Sequence, residues 1–561
     1  MPDSAATTDE LVFLPLGGCG EIGMNLNAYG YGPAHDRRWI IVDVGVTFGG
    51  SDTPGIDLIC ADPAYLVGEN IDAVFLTHAH EDHIGAIGLL YPMLRTKAPI
   101  YATPFTAELV RGKMLERGVD TRLLKTISLE STVKAGPFSV TYVTLTHSIP
   151  EPNALAIDTP AGLILHTGDW KIDPEPLVGH KTDIAGLTAL GDRGVLAMVC
   201  DSTNVFENGE AGSEDTVRKG LIDLIAQQTG AVAVTTFASN VARVKSIIEA
   251  ANLAGRDVCL VGRSMHKITD AAKAVGILPA NLEFVDEAEA GFLPPENILY
   301  LCTGSQGESN AALTRIARGD HRNVSLAEND TVIFSSRLIP GNETSVYALQ
   351  NSLAEQGIRI ITPRMIPEPI HVSGHPCRDE LRRMYQWVRP RVSIPVHGER
   401  RHIMEHAAYA KSLQVQSALM PRNGSLIRLA PGEPEIIDEV PSGRLLLDGS
   451  RLVPEAAEGL IQRRRLSVSG LILATVCLDD TGAVVDGPVI AVKGLSESDG
   501  RIADESLEPL DEAAARALES IKRRDRDDDD VIEKVVGRAL RKACEAEFGI
   551  RPLIEVIVLR S

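Results

Sequence analysis

Short apolar runs recur through the first two-thirds of the chain and constrain its fold more than any other feature. Examples are RWIIVDVGV, DAVFLTH, LILHTGD, VLAMVCDS, AVAVTTF, DVCLVG, TVIFSS and IRIITP. Each is rich in Val, Ile or Leu, is flanked by Gly, Asp or Ser, and alternates with stretches of helical character. Runs of this length read as buried strands of an α/β protein. Functional side chains then belong on the loops that leave the strands' C-terminal ends.

The chain has 561 residues, of which 44% are hydrophobic, so a large core can form. At about 150 residues per domain, this length suits roughly three domains. No apolar stretch reaches the ~18 residues that a membrane span needs. The opening MPDSAATTDE is polar and acidic, which argues against a signal peptide and for a cytoplasmic protein. Eight cysteines are scattered without a C-x-x-C pair, which argues against a disulfide framework and a cysteine zinc site. The net charge of −21 would repel nucleic acid at long range. An RNA substrate would therefore need local cationic patches or metal ions. An acidic exterior also serves solubility.

GSEDTVRKGLIDLIAQQTG has helical periodicity and opens on Ser213, an N-cap residue type followed by acids, so a second set of strand-helix units starts here. VPSGRLLLDGSRLVPEAAEGLIQRRR is mixed and turn-rich and reads as a linker. Beyond it, RLSVSGLILATVCLD, GPVIAVKG and LIEVIVL read as strands and DDVIEKVVGRALRKACEAEFG as an amphipathic helix, which makes a small α+β domain. KRRDRDDDD reads as solvated surface or a helix entry.

Chemistry concentrates in HAHEDH, where His78, His80, Asp82 and His83 follow a short apolar run. A loop can aim His78 and His80 at one point, whereas i, i+2 residues of a regular helix diverge. Imidazoles and carboxylates converging in this way suit Zn²⁺, and also Mn²⁺ where oxygen ligands join. An ordinary polar loop does not account for so specific a spacing. Two later runs end alike: TYVTLTHSIPEP places His147 and GLILHTGDWKID places Asp169. A lone histidine is more often a hydrogen-bonded structural residue, and these two gain weight only as members of the set.

The pattern resembles the metallo-β-lactamase fold, an αββα sandwich with a dinuclear site at one edge. That resemblance implies one metal on His78, His80 and His147, a second on Asp82 and His83, and Asp169 bridging both. The fold alone does not give the substrate. VCDSTN (Asp201), HVSGHP (His371 and His375) and SIPVHGER (His397) are similar to the further motifs of the β-CASP nucleases. By that resemblance Asp201 orients His375, and His397 completes the second metal's shell. LGGCGEIGMN, THAHEDHIGA, HSIPE, HTGDWKID, CDSTN, TTFASNVAR, GRSM, TGSQGE, IPGNE, HVSGH and PVHGE together resemble the bacterial ribonuclease J family, from about residue 16 to 399. The C-terminal unit resembles that family's appended domain less specifically.

The implied architecture is α/β. It has a metallo-β-lactamase domain in two parts (1–213 and 361–445), an inserted α/β β-CASP domain (214–360), a linker (446–464) and a C-terminal α+β domain (465–561). Two departures stand out. Ser309-Asn310 occupies a place where the family more often has Pro-Met, and Pro376 restricts the backbone of His375. Neither is a proposed ligand.

The implied activity is that of a 5′-to-3′ exonuclease and endonuclease in RNA maturation and decay, with two divalent metals, most readily Zn²⁺ or else Mn²⁺. The implied substrate is RNA, preferably with a 5′-monophosphate. The implied assembly is a homodimer or homotetramer, with RNA-decay proteins as partners and no membrane association. His375 is the candidate general acid for the leaving ribose 3′-oxygen, with phosphate binding as its alternative role. Asp82 is a candidate to assist the attacking water. His371, Ser373 and the backbone at Gly374 are candidates for the terminal phosphate, with Gly304 and Ser305 as a second loop. Phe237, Ser239 and Asn240 are candidates to stack and hold a nucleotide. Each has a purely structural alternative, since Gly/Ser turns recur in α/β proteins and a Phe is usually core.

GEIGMN lacks the phosphate-binding G-x-x-x-x-G-K-[ST] pattern and reads as a turn at the site's edge. RRMYQWVRPR suits either RNA or a helix packed on the sheet. Competing functions are a DNA-processing β-CASP enzyme, whose third motif commonly lacks histidine, and a lactamase or thioesterase, which would not need the long insert. A third is a non-catalytic RNA-binding scaffold, which would be expected to lose ligands that this chain retains.

Overall fold

The computed structural model describes residues 8–50, 52–339, 341–495 and 504–561. Most of MPDSAATTDE and Pro340 of IPGNE lie outside the described residues. The chain divides into two compact units, Met1–Thr47 with Cys60–Arg444 and Phe48–Ile59 with Leu445–Ser561.

Two sheets dominate the first unit. One has eight strands in the order Glu435–Glu439, Ser425–Ala430, Glu10–Gly17, Leu26–Gly32, Arg38–Val42, Asn70–Phe75, Ile100–Ala102 and Leu124–Thr126. The other has seven, in the order Thr132–Ala135, Phe138–Thr144, Asn153–Thr159, Gly162–His166, Val195–Asp201, Val392–Val396 and Ser417–Ala418. Phe13, Tyr29, Ile40, Val42 and Phe75 of the first sheet bury against Val140, Tyr142, Ile157, Ile164, Val199 and Ile394 of the second. This face-to-face contact is the middle of a sandwich.

The period-2 alternation of a strand explains why the runs are apolar throughout. Along Val195–Asp201, Ala197 and Val199 face the other sheet. Met198 and Cys200 face Leu187 and Leu190 of the helix Ile184–Arg193 and Leu381, Met384, Tyr385 and Val388 of the helix Arg378–Val388. RRMYQWVRPR therefore contributes a helix whose apolar face packs on the sheet.

The inserted segment folds around its own parallel sheet, in the order Asp257–Val261, Ile298–Cys302, Val232–Thr235, Thr331–Phe334 and Arg359–Ile361. Its two faces carry separate cores, Val232 and Val234 on one side and Ala233, Val332 and Phe334 on the other. The chain then returns, and Val392–Val396 pairs in parallel with Val195–Asp201, with Asp201 opposite Val396. That register delivers His397 beside Asp201. A buried network stitches the same corner: Tyr385 Oη and Ser202 Oγ lie 2.9 and 2.8 Å from the two ring nitrogens of His406.

In the second unit Leu471–Leu478 lies between Val484–Lys493 and Leu553–Arg560. Ile472, Ala474, Val476 and Leu478 bury against Leu510, Leu518, Ile532, Val536 and Leu540 of two helices, Asp504–Ser520 and Asp529–Phe548. KRRDRDDDD leads into the second of these helices, with Asp528 as N-cap accepting from the N–H of Asp530. The stretch expected to be a linker holds regular structure: residues 445–448 pair with Arg451–Pro454, and a helix spans Glu458–Ser469. Among the described residues no helix is long and apolar enough to cross a membrane.

Burial pulls His406 down to about 4 from its ordinary 6.5. Between these values the unfolded chain binds the proton and the folded one does not, so stability falls as pH falls through that window. We expect the thermal midpoint to drop from pH 6.5 to 4, with His406 alone contributing roughly 3 kcal/mol. Differential scanning calorimetry should show a shallower slope for His406→Gln.

Candidate metal centre

The site lies where strands of both sheets end. Asn70–Phe75 leads to His78 and His80, Gly162–His166 to Asp169, Val195–Asp201 ends on Asp201, and Val392–Val396 leads to His397. Asp82 and His83 do not continue the loop of His78 and His80. They form a one-turn helix, Glu81–Ile84, because the N–H groups of His83 and Ile84 both reach back to the carbonyl of His80. The turn sets His83 beside His78, with ring centroids 4.0 Å apart, and the motif contributes to two neighbouring donor groups. Gly45 permits the close approach of its strand end, since a Cβ there would meet the Asp82 carbonyl oxygen at 1.6 Å.

Three donor groups result, each with its donor atoms within 4.8 Å of one another: His78, His80, His147 and Asp169; Asp82, His83, Asp169 and His397; and an overlapping set, Asp169, Asp201, His375 and His397. In the first, His80 Nδ1 lies 3.1 Å from His78 Nε2 and 3.0 Å from His147 Nε2. Tetrahedral zinc, at about 2.0–2.1 Å from each nitrogen, sets its ligands roughly 3.3 Å apart. In the second, Asp169 Oδ2 is 3.2 Å from His83 Nε2, and Asp82 Oδ2 is 3.1 Å from His397 Nε2. Asp169 belongs to both of these groups and to the third.

Burial, with neighbouring imidazoles, holds His78 and His147 well below 6.5 and His80 near 4, so these rings are neutral and present lone pairs. Burial also opposes charge on His83 and His397, but Asp169 together with Asp43 and Asp82 outweighs it at the first, and Asp169 with Asp82 and Asp201 at the second, so both are raised. Burial favours the neutral acid at Asp169, yet His397 and His83 hold its carboxyl well below the usual range.

One detail fits a cation better than an ion pair. Asp169 Oδ1 and His397 Nδ1 are buried and 2.8 Å apart, yet neither has a hydrogen-bond partner. Imidazole and carboxylate donors of this kind suit Zn²⁺ or Mn²⁺.

The sequence reading missed the groups that hold these rings. Asp43, fully buried at φ +63°, accepts from the N–H and hydroxyl of Thr77 at 2.8 Å and stands 2.7 Å from His83 Nδ1. The Gly374 carbonyl is 2.5 Å from His147 Nδ1. Asn25, at the end of GEIGMN, donates to the Asp82 carbonyl and lies 3.1 Å from His83 Nε2, so this turn does line the site. The polar residue inside RWIIVDVGV was the available signal for Asp43.

His375 Nδ1 lies 2.8 Å from Asp201 Oδ2, and Asp201 Oδ1 accepts from the N–H and hydroxyl of Thr203. Burial disfavours the imidazolium of His375, but Asp201 and Asp169 overcome this and raise it. Ser373 Oγ accepts from Asn204 Nδ2 at 2.7 Å and from the His375 N–H at 3.2 Å. Burial and Arg243 bring His371 down to about 3. Arg243 is itself buried, paired through two nitrogens with Glu214 at 2.9 Å, and bonded to the carbonyls of Ser335 and Ile370.

The remaining candidates differ among themselves. Phe237 is exposed and presents its ring, against the core alternative, and Ser239 is half-buried. The Asn240 side chain is already engaged, accepting from the Arg243 N–H as helix N-cap and donating to Glu214, so it does not point to a ligand. Ser305 is buried after the strand Ile298–Cys302, beside Gly304 at φ +111°.

Comparison with known proteins agrees with this fold. Residues 38–190 match the Beta-lactamase superfamily domain and 229–353 the Ribonuclease J, beta-CASP domain. Residues 367–420 match the Zn-dependent metallo-hydrolase RNA specificity domain and 459–561 the Ribonuclease J C-terminal domain. Fold and donor set together define a hydrolase of the metallo-β-lactamase superfamily with a β-CASP insert.

A relative named Ribonuclease J from Sinorhizobium meliloti is 44% identical over 99% of this chain and 98% of its own length. Those from Mycolicibacterium smegmatis and Thermus thermophilus are 38% and 35% identical, each over 97% of this chain and over 96% and 95% of their own lengths. The chain belongs to the ribonuclease J family. A solved structure, of a protein of unknown function from Enterococcus faecalis V583, shares the fold at TM-score 0.51 and 16% identity, covering 75% of this chain and all of its own.

Asp43→Ala leaves His83 without its outer partner. We expect divalent-cation affinity to fall roughly 10–100-fold, read by isothermal titration calorimetry on the metal-stripped protein.

Proposed function

We propose that the protein is a metal-dependent ribonuclease that degrades RNA from a 5′-monophosphate end and also cuts internally, in the cytoplasm, as part of RNA maturation and decay. The observation that carries this reading is the pairing of His375 with Asp201 beside the two donor groups that share Asp169. Relatives named Ribonuclease J support RNA as the substrate. In this reading 1–213 and 361–445 form the hydrolase domain, 214–360 the β-CASP domain, 446–464 a connecting segment and 465–561 a C-terminal domain that supports a homodimer or homotetramer.

His78, His80, His147 and Asp169 would hold one cation, and Asp82, His83, Asp169 and His397 a second, most readily Zn²⁺, with Mn²⁺ suited to the oxygen-richer group. Bound there, two cations supply Lewis acidity, which makes water nucleophilic at neutral pH and neutralises charge on phosphodiester oxygens. The chain's own residues do the rest. His375, held in one orientation by Asp201, presents its outer nitrogen as a proton donor to the leaving 3′-oxygen. Asp82 accepts hydrogen bonds from the attacking water. Ser373, the backbone at Gly374 and His371 receive the terminal phosphate, while Phe237 offers a stacking face and Ser239 a hydroxyl. Ser305 and Gly304 shape the facing loop. The acidic exterior makes these local contacts necessary, since net charge opposes RNA at long range.

Metal-loaded protein should release mononucleotides from 5′-monophosphate RNA faster than from 5′-triphosphate or 5′-hydroxyl RNA. Loaded protein that cuts none of the three contradicts the reading. His375→Ala should lower kcat by roughly 10²–10⁴-fold with bound metal unchanged, and full turnover in that variant would remove His375 from the acid role.

A further inference from the structure

Glu380 is fully buried, and its carboxylate accepts three backbone hydrogen bonds, one from the N-cap of its own helix and two from loops distant in sequence. Oε1 accepts from the N–H of Ile172 at 2.8 Å, three residues after Asp169. Oε2 accepts from the N–H of Ala211 and of Cys377, each at 2.8 Å. Cys377 lies two residues after His375, and the helix Arg378–Val388 starts directly behind it.

The bond to Cys377 is half of a capping box, and a cap needs no more than that. The other two bonds span 208 and 169 residues of sequence. They belong to a circuit of ties around the site. The Lys171 N–H donates to the Thr146 carbonyl at 2.7 Å, and the Asp173 N–H donates to Thr146 Oγ1 at 3.0 Å, which locks the loop after Asp169 to the strand end bearing His147. His147 in turn meets the Gly374 carbonyl. Glu380 closes the circuit from the Asp169 loop to the His371–Cys377 loop.

We infer that Glu380 is a positioning residue: it sets the distance between the cation-holding loop of Asp169 and the loop that carries His375 and Ser373. A carboxylate suits the task because both oxygens accept and charge strengthens each bond to a backbone N–H. The inference rests on the nuclease reading above, since it takes the His375 loop to act on a substrate held at the cation groups.

Glu380→Gln isolates the tie. Its amide oxygen can keep the bonds to Ala211 and Cys377, but its NH₂ then faces the Ile172 N–H and cannot accept from it. We expect kcat per metal-loaded chain on 5′-monophosphate RNA to fall roughly 10–100-fold, with KM changed far less. Hydrogen exchange in peptides covering residues 169–175 should quicken. Asp379→Asn removes a neighbouring acid of the same helix turn and should leave both readouts at wild-type values. Unchanged turnover in Glu380→Gln overturns the inference whatever the melting temperature does, because a cap alone lowers stability without altering turnover per loaded chain. Reduced turnover without faster exchange at 169–175 also overturns it. Should Glu380→Gln fail to fold, Glu380→Asp keeps the charge with a shorter reach and is read by the same two criteria. Wild-type protein that cuts no RNA contradicts the nuclease reading, and the exchange measurement then decides the tie by itself.

Discussion

Buried negative charge crowded by imidazoles is the constraint on which the rest of the structure depends. Asp43, Asp169 and Asp201 are almost wholly buried, and Asp82 joins them at the rim. Around them His78, His80 and His147 are held neutral. Burying carboxylates is costly unless hydrogen bonds and cations answer them. Backbone and hydroxyl donors satisfy Asp43 and Asp201. Asp169 Oδ1 has no backbone or hydroxyl donor and faces only His397 Nδ1 at 2.8 Å without a well-formed hydrogen bond, an arrangement that a bound cation would satisfy.

The two sheets make this arrangement possible. Each donor follows a strand whose alternate residues are locked into a core on either face, so the strand ends are rigid where the loops begin. The inserted domain has its own sheet and its own two cores, so it interrupts the chain without loosening the sandwich. The parallel register of Val392–Val396 on Val195–Asp201 then brings His397 to residues more than 190 positions earlier. Glu380, Arg243 and Asn204 tie the seam between these parts, where the proposed phosphate loop lies.

Much of this was legible in the sequence. The strands were visible because burial on both faces leaves continuous apolar runs. HAHEDH was visible because four donors fall within six residues, and His147, Asp169, Asp201 and His397 because each follows such a run. Groups acting at long range were not legible. Asp43 reads as one polar residue within a strand, and the long-range partners of Glu380 lie 208 and 169 residues away. The helix-capping role of Asn240 was not legible because an N-cap and a nucleotide contact call for the same residue type. The helical turn at Asp82 and His83 is too short for any periodicity to show. The regular structure within 446–464 hid behind turn residues, since hairpins and caps use the same Gly, Ser and Pro as linkers.

The central claim is that one shared carboxylate, Asp169, joins two cation sites. The most direct measurement is native mass spectrometry of metal-stripped protein titrated with Zn²⁺, for the wild type and Asp169→Asn. The account predicts that the wild type saturates at two tightly bound ions per chain and that the variant loses tight binding of both. Saturation at one ion, or an Asp169→Asn variant that still binds two tightly, would contradict it.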